Sequence, residues 1–197
     1  METPLCKLAF KYGTDKCPKI RHSYTPLYYE LFRGREKTVK KILEIGIGYK
    51  VNNRGKQYEY YQIGASLMMW RDFFPNAQVY GIDIVPETLI KGERIHTYLC
   101  NQYKPEDLTK LIKEIGSDID IVIDDGSHQH QHQVWTCQFL MPLLPKNVLY
   151  IIEDVLYTDT LVKRLSNFNT MTVSFPMKQP NVYNQKTDDV IIIVKNR

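Results

Sequence analysis

The sequence predicts an open α/β domain, a mostly parallel, doubly wound sheet covered by helices on both faces. Three observations carry this. From about residue 41 onward, short apolar runs alternate with segments of helical periodicity. Several of those runs end in glycines or carboxylates, the residue types that turn a strand into a loop facing a ligand. No repeat, low-complexity tract or linker interrupts the 197 residues, so the chain reads as one domain, with a helical lead-in over 1–40 and an α/β core over 41–197.

In the lead-in, Leu5, Leu8 and Ala9 predict a short helix ending near Gly13, and Tyr24 to Phe32 predicts a second, stopped at Gly34. GTDKCPKIRHS between them reads as a polar, turn-rich link. Lys41 to Gly46 (KILEIG) is a buried strand running into a turn. Residues 49–63 are polar and aromatic, which predicts a long loop. Ala65 to Phe74 has helical periodicity that Pro75 and Asn76 end, and Gln78 to Ile84 is the second strand. A weaker third strand covers Arg94 to Cys100. Pro105 and Glu106 open a helix through about Ile115, where proline and an acid suit the first turn. Asp120 to Asp124 is a fourth strand, Gln129 to Leu144 a helix, Val148 to Ile152 a fifth strand and Thr160 to Leu165 a further helix. Thr170 to Phe175 and Val190 to Lys195 close the pattern without a helix-sized gap, so one antiparallel strand is expected at the sheet edge.

Composition narrows the function classes. A net charge of +4 with no dense basic tract argues against nucleic acid; Lys37, Lys40 and Lys41 read as a solvated strand entry. No apolar run is long enough to cross a bilayer, and no signal peptide is recognisable. Cys6, Cys17, Cys100 and Cys137 form neither a CxxC pair nor a zinc spacing, so free thiols in a reducing cytoplasm are expected.

In open α/β sheets, ligands bind beyond the carboxyl ends of the strands. The first strand ends in Glu44, Gly46 and Gly48, whose glycines allow a sharp turn close to a ligand. The next helix begins at Gly64-Ala65-Ser66, after a fifteen-residue loop from Gly48, too far for the compact glycine turn that cradles a pyrophosphate. The second strand ends in Asp83, placed to accept hydrogen bonds from both hydroxyls of a ribose; with Pro86 and Glu87 following, it also suits a cap. Glu44 would repel a pyrophosphate and suits a sulfonium, which favours S-adenosylmethionine over a nicotinamide dinucleotide. Glu44, Gly46, Gly48, Ser66 and Asp83 are therefore the cofactor candidates.

The fourth strand runs into Asp124, Asp125 and His128, and the fifth into Glu153 and Asp154. So many acids at neighbouring strand ends call for a divalent cation, Mg²⁺ first and Mn²⁺ or Ca²⁺ after it. Beside such an ion, His128 has the chemistry of a general base that takes a proton from an acceptor hydroxyl. Asp-Asp-Gly-Ser is also ordinary turn chemistry, but that leaves Glu153 and Asp154 unexplained. His130 and His132 do not share a helical face with one another, which argues against a three-histidine zinc site.

ILEIGIG, GASLMMWRDFFPNAQVYGIDI, DIVIDDGSH and YIIEDV, with KYGTDK and HSYTPLYYELF before them, resemble the class I S-adenosylmethionine-dependent methyltransferases. More narrowly, they resemble the metal-dependent O-methyltransferases of macrolide-type sugars. The resemblance runs from about Lys11 to the end. It implies a Rossmann-like, seven-stranded sheet with the last strand antiparallel. It implies Glu44, Gly46 and Asp83 at the cofactor, Asp125, Glu153 and Asp154 as metal ligands, and His128 as general base. Asp124 would neighbour the cofactor, and Asn101 would bond the adenine. Two departures stand out. No counterpart is seen of the extra amino-terminal domain that some macrolide sugar enzymes carry. And Asn101 precedes Gln102 where those enzymes often place an acid.

The expected partner is a small hydroxyl acceptor, a sugar or related molecule, with no nucleic acid or membrane; a homo-oligomer stays open. A catechol-like phenol is the alternative acceptor. A non-catalytic S-adenosylmethionine-binding protein and a nicotinamide-dependent oxidoreductase are the other classes weighed; the set of His128, Asp125, Glu153 and Asp154 argues against the first, and the separated glycines and Glu44 against the second.

Overall fold

The computed structural model describes residues 2–48, 62–175 and 190–197. The predicted loop 49–63 lies almost wholly outside these. The chain divides into two compact units, Met1–Leu99 and Cys100–Arg197.

In the first unit, α1 (Pro4–Tyr12) starts on Pro4 with Thr3 accepting from the Cys6 amide, and ends on Gly13 in the left-handed conformation at φ 77°. The second helix, α2 (Tyr24–Phe32), buries Tyr24, Tyr28 and Phe32, spaced four apart on one face. That face meets α3 (Ala65–Phe73): Trp70 stands edge-on to Tyr28 at 5.2 Å and to Phe32 at 6.0 Å between ring centroids. Edge-to-face rings at such distances add to the area they bury. Three parallel strands follow, β1 (Lys41–Ile45), β2 (Gln78–Asp83) and β3 (Ile95–Leu99), with Leu43 opposite Tyr80 and Tyr80 opposite His96. The link from β2 to β3 carries only a 3-10 turn over Pro86–Thr88, not the α-helix that strict strand–helix alternation would supply.

In the second unit, α4 (Pro105–Ile115) buries Leu108, Leu111 and Ile115 and keeps Glu106 and Asp107 in its first turn. β4 (Ile121–Asp124) and β5 (Leu149–Ile152) are parallel and fully buried. The helix predicted over 129–144 is α-helical only as α5 (His130–Leu140); Met141–Leu143 is a 3-10 turn. Pro142 has no amide hydrogen to continue the α ladder. After α6 (Thr158–Arg164) come β6 (Asn169–Ser174) and β7 (Val190–Lys195).

All seven strands form one sheet in the order β3-β2-β1-β4-β5-β7-β6. The last strand is antiparallel to both its neighbours, β5 and β6. Its placement corrects the expectation of an antiparallel edge: β7 is interior and β6 takes the edge. The reason lies in the side chains. Val190 to Val194 are all buried, as a strand covered on both faces requires, whereas β6 is mostly exposed.

Candidate active site

The first cluster lies at the carboxyl ends of β1 and β2. Gly46 and Gly48 sit at φ 88° and 90°, a region that excludes most side chains, and the Gly46 amide donates to Ile82 O at 2.8 Å. Asp83 fastens this turn: its Oδ2 accepts from the Ile47 amide at 2.9 Å and its Oδ1 from the Val85 amide at 3.0 Å. Asp83 therefore closes its own local turn while remaining half-buried at the strand end. Gly64, at φ 71°, precedes α3, and the buried Ser66 lies in that helix's first turn.

Glu44 is wholly buried. Its Oε2 accepts from Trp70 Nε1 at 3.0 Å, and its Oε1 lies 3.4 Å from Nζ of Lys16, itself only 1% exposed. The repulsion expected between Glu44 and a pyrophosphate is thus countered by a lysine that sequence reasoning placed in a polar link. A buried lysine needs a charged partner, but nothing in the local sequence announces that its partner lies 28 residues on.

The second cluster lies at the carboxyl ends of β4 and β5. One ligand atom each from Asp125, His128 and Asp154 falls within a sphere where all three lie within 4.8 Å of one another. His128 Nε2 is 3.0 Å from Asp125 Oδ1, and its Nδ1 is 3.8 Å from Asp154 Oδ2. Both His128 and Asp154 are held in the left-handed region, at φ 55° and 52°. For residues with a Cβ this costs about 1–2 kcal/mol each and persists where the surroundings hold it. Burial pushes the His128 pKa down, but the Asp125 hydrogen bond and the charges of Asp125, Asp154 and Glu153 outweigh it and raise the value to about 9. The imidazolium thereby balances the acids when no other cation does.

The two carboxylates at this spacing fit a divalent cation, which takes hard oxygens readily, and His128 stands beside them within reach of an acceptor on that cation. Glu153 was expected as a ligand beside Asp125 and Asp154, but the group of three brought together here includes His128 and not Glu153. Glu153 is 1% exposed, its carbonyl accepts from Gln133 Nε2 at 2.9 Å, and its charge still acts on His128.

Asp124, one residue before the cluster, is wholly buried. It accepts from Tyr150 Oη at 2.9 Å and from Gln102 Nε2 at 3.1 Å. Burial raises its pKa to about 6 against the pull of those two bonds. Asn101 closes a turn ahead of α4: its Oδ1 accepts from the Tyr103 amide and its own amide donates to Asp107 Oδ2, both at 2.9 Å. Tyr150 and Thr136 carry no signal in the sequence, and Gln102 is marked there only as the residue after Asn101; the fold brings Tyr150 and Gln102 to Asp124 and Thr136 to Gln102.

The fold is that of the class I methyltransferases, with the seven-stranded sheet and its antiparallel last strand in place. The chain superimposes on the MycE methyltransferase from the mycinamycin biosynthetic pathway, in complex with Mg and SAH, with a TM-score of 0.76, 27% identity, and coverage of 100% of this chain and 56% of that one. The MycE complex with Mg, SAH and mycinamycin VI gives 0.73 at 27% identity, covering 100% and 55%.

Among proteins of described activity, the chain is a homologue of sugar O-methyltransferases. It is 37% identical over 152 residues to the 8-demethyl-8-alpha-L-rhamnosyl tetracenomycin-C 2'-O-methyltransferase of Streptomyces olivaceus, covering 77% of this chain and 37% of that one. It is equally 37% identical over 152 residues to the mycinamicin VI 2''-O-methyltransferase of Micromonospora griseorubida, covering 77% and 36%. The chain spans little more than a third of the length of these curated relatives. No family model matches it.

Proposed function

We propose that the chain transfers a methyl group from S-adenosylmethionine to a hydroxyl of a sugar or related small molecule, with a divalent cation, Mg²⁺ first, orienting the acceptor. The observation that carries the reading is the Asp125–His128–Asp154 cluster, whose ligand atoms lie within 4.8 Å of one another. The homologues named for sugar O-methylation and the Mg- and SAH-bound MycE complexes support it. When bound, the sulfonium supplies an electrophilic methyl, and the cation supplies a Lewis acid that acidifies and orients the acceptor hydroxyl.

The chain's own residues do the rest. Asp125 and Asp154 hold the cation, with Glu153, next to Asp154 in the chain, as the further carboxylate ligand expected from the sequence. His128 takes the acceptor proton at an imidazole nitrogen; it is available for this once a cation offsets the acids that otherwise keep it protonated. Asp83 receives the ribose hydroxyls, Gly46 and Gly48 let the backbone approach the donor, Ser66 stands at the helix start on its amino-acid side, and the buried Glu44 supplies negative charge beneath it. Asn101 receives the adenine edge, and Asp124 anchors the end of β4 beside the donor. We assign these roles to one domain, 1–197, acting in the cytoplasm; its four cysteines, all buried free thiols, suit a reducing compartment, and no helix among the described residues is long and apolar enough to cross a membrane.

The test is transfer of labelled methyl from S-adenosylmethionine to a panel of rhamnosides, other glycosides and catechols, with Mg²⁺ and with EDTA. Label on a glycoside that disappears with EDTA supports the reading. Label on catechols alone moves the acceptor to phenols. Donor binding with no label on any acceptor would favour a binding protein.

A further inference from the structure

Gln102 engages both polar atoms of its side chain, with three partners. It is 6% exposed. Its Nε2 donates to Asp124 Oδ1 at 3.1 Å and to Thr136 Oγ1 at 3.2 Å, while its Oε1 accepts from the Ser127 amide at 3.0 Å. These partners fix which way the amide points. Turned over, its oxygen would face a carboxylate and its NH₂ would face an N–H. One side chain thereby ties the end of β4, the middle of α5 and the turn after β4 together.

The turn is the one that carries the cation cluster. Ser127 stands between Asp125 and His128, and His128 occupies the left-handed region at φ 55°. A non-glycine residue stays there where neighbouring bonds determine the backbone. The Ser127 amide, held by Gln102, belongs to the residue that leads directly into His128. Asp124, held from one side by Gln102 and from the other by Tyr150, leads directly into Asp125.

We infer that Gln102 is a positioning residue for cation binding: through the Ser127 amide and the Asp124 carboxylate it sets the turn that brings Asp125 and His128 together with Asp154. This rests on the cation reading of the proposed function. Gln102 is outside the candidate ligand group; it acts through the turn, as residues behind metal ligands commonly do.

Mn²⁺ binding to the purified chain, read by electron paramagnetic resonance without donor or acceptor, tests the inference. The set is wild type, Gln102→Leu, Gln102→Glu and Thr136→Val. Gln102→Leu removes both anchoring bonds. Gln102→Glu keeps the shape and the acceptor for Ser127 but turns a second carboxylate toward Asp124. Thr136→Val removes one partner of Gln102 and leaves its bonds to the turn. The expected result is about tenfold or greater weakening for both Gln102 variants, with Thr136→Val within about twofold of wild type. Should Gln102→Leu fail to fold, the near-isosteric Gln102→Glu carries the comparison. Mn²⁺ affinity within about twofold of wild type in a folded Gln102 variant overturns the inference and leaves the cation site standing. So does equal weakening in Thr136→Val, which would mark a general loosening of the unit. A wild-type chain that takes up no Mn²⁺ overturns the cation reading and the role of Gln102 with it.

Discussion

Asp83 uses each carboxylate oxygen once, for Ile47 and for Val85. An ionised carboxylate offers about four acceptor sites, so closing the turn and receiving a ribose are compatible roles. His128, as the proposed general base, is the residue whose loss should bear on the chemistry most directly. His128→Ala lowers kcat by about 10²–10⁴-fold, the usual worth of a general base, with donor affinity unchanged by calorimetry. In the protein stripped of metal with EDTA, stability depends on the charge of His128. The folded pKa of His128, about 9, lies above its ordinary value of 6.5. The folded state thus binds this proton more tightly than the unfolded state does. The contribution to stability is complete below about pH 6.5 and is lost as pH rises through about 9. Thermal melts of EDTA-treated wild type should fall in midpoint across that window, and His128→Ala should lose that part of the slope. Lys16 makes a contrasting case. Lys16→Met removes the cation 3.4 Å from the buried Glu44, and breaking such a pair costs about 3–5 kcal/mol, checked by urea denaturation. The acids and His128 were legible in sequence because strand ends concentrate them into short motifs. Lys16 and Gln102 were not, because each acquires its meaning from partners more than twenty residues away.

Elements were legible where local chemistry decided them. The helix over Pro105–Ile115 has its bounds written in Pro105, the acids after it and Gly116. The helix after β4 stops early because Pro142 cannot donate, a signal present in the sequence and passed over. β6 and β7 were both recognised, but their places were not. The unbroken VIIIV of β7 marks a strand covered on both faces, and the polar NTMTVS of β6 marks an edge; reading composition as position would have ordered them correctly. At the start of α3, Gly64 meets two demands at once: φ is 71°, and an added Cβ would come within 2.2 Å of Ile90 Cδ1. The Ile90 terminus can move, but the left-handed backbone cannot be relieved. Gly64→Ala should therefore lose about 1–2 kcal/mol in chemical denaturation, the penalty of that conformation.

At the scale of the whole molecule, the sheet order and its antiparallel last strand are those of a methyltransferase fold, and the homologues are named as sugar O-methyltransferases. The alternation of strands and helices made the fold legible because each parallel crossover requires a helix-sized stretch of sequence. The acceptor is not legible in the same way, since the chain spans little more than a third of its curated relatives and specificity belongs to sites and not to folds. The central claim is that this chain binds S-adenosylmethionine through the carboxyl ends of its strands. Calorimetric titration with S-adenosylmethionine, in Mg²⁺ and in EDTA, on wild type and Asp83→Ala, tests it most directly. The account predicts saturable binding by wild type that Asp83→Ala loses. An absence of heat from wild type under both conditions, or binding by Asp83→Ala at wild-type strength, would contradict it.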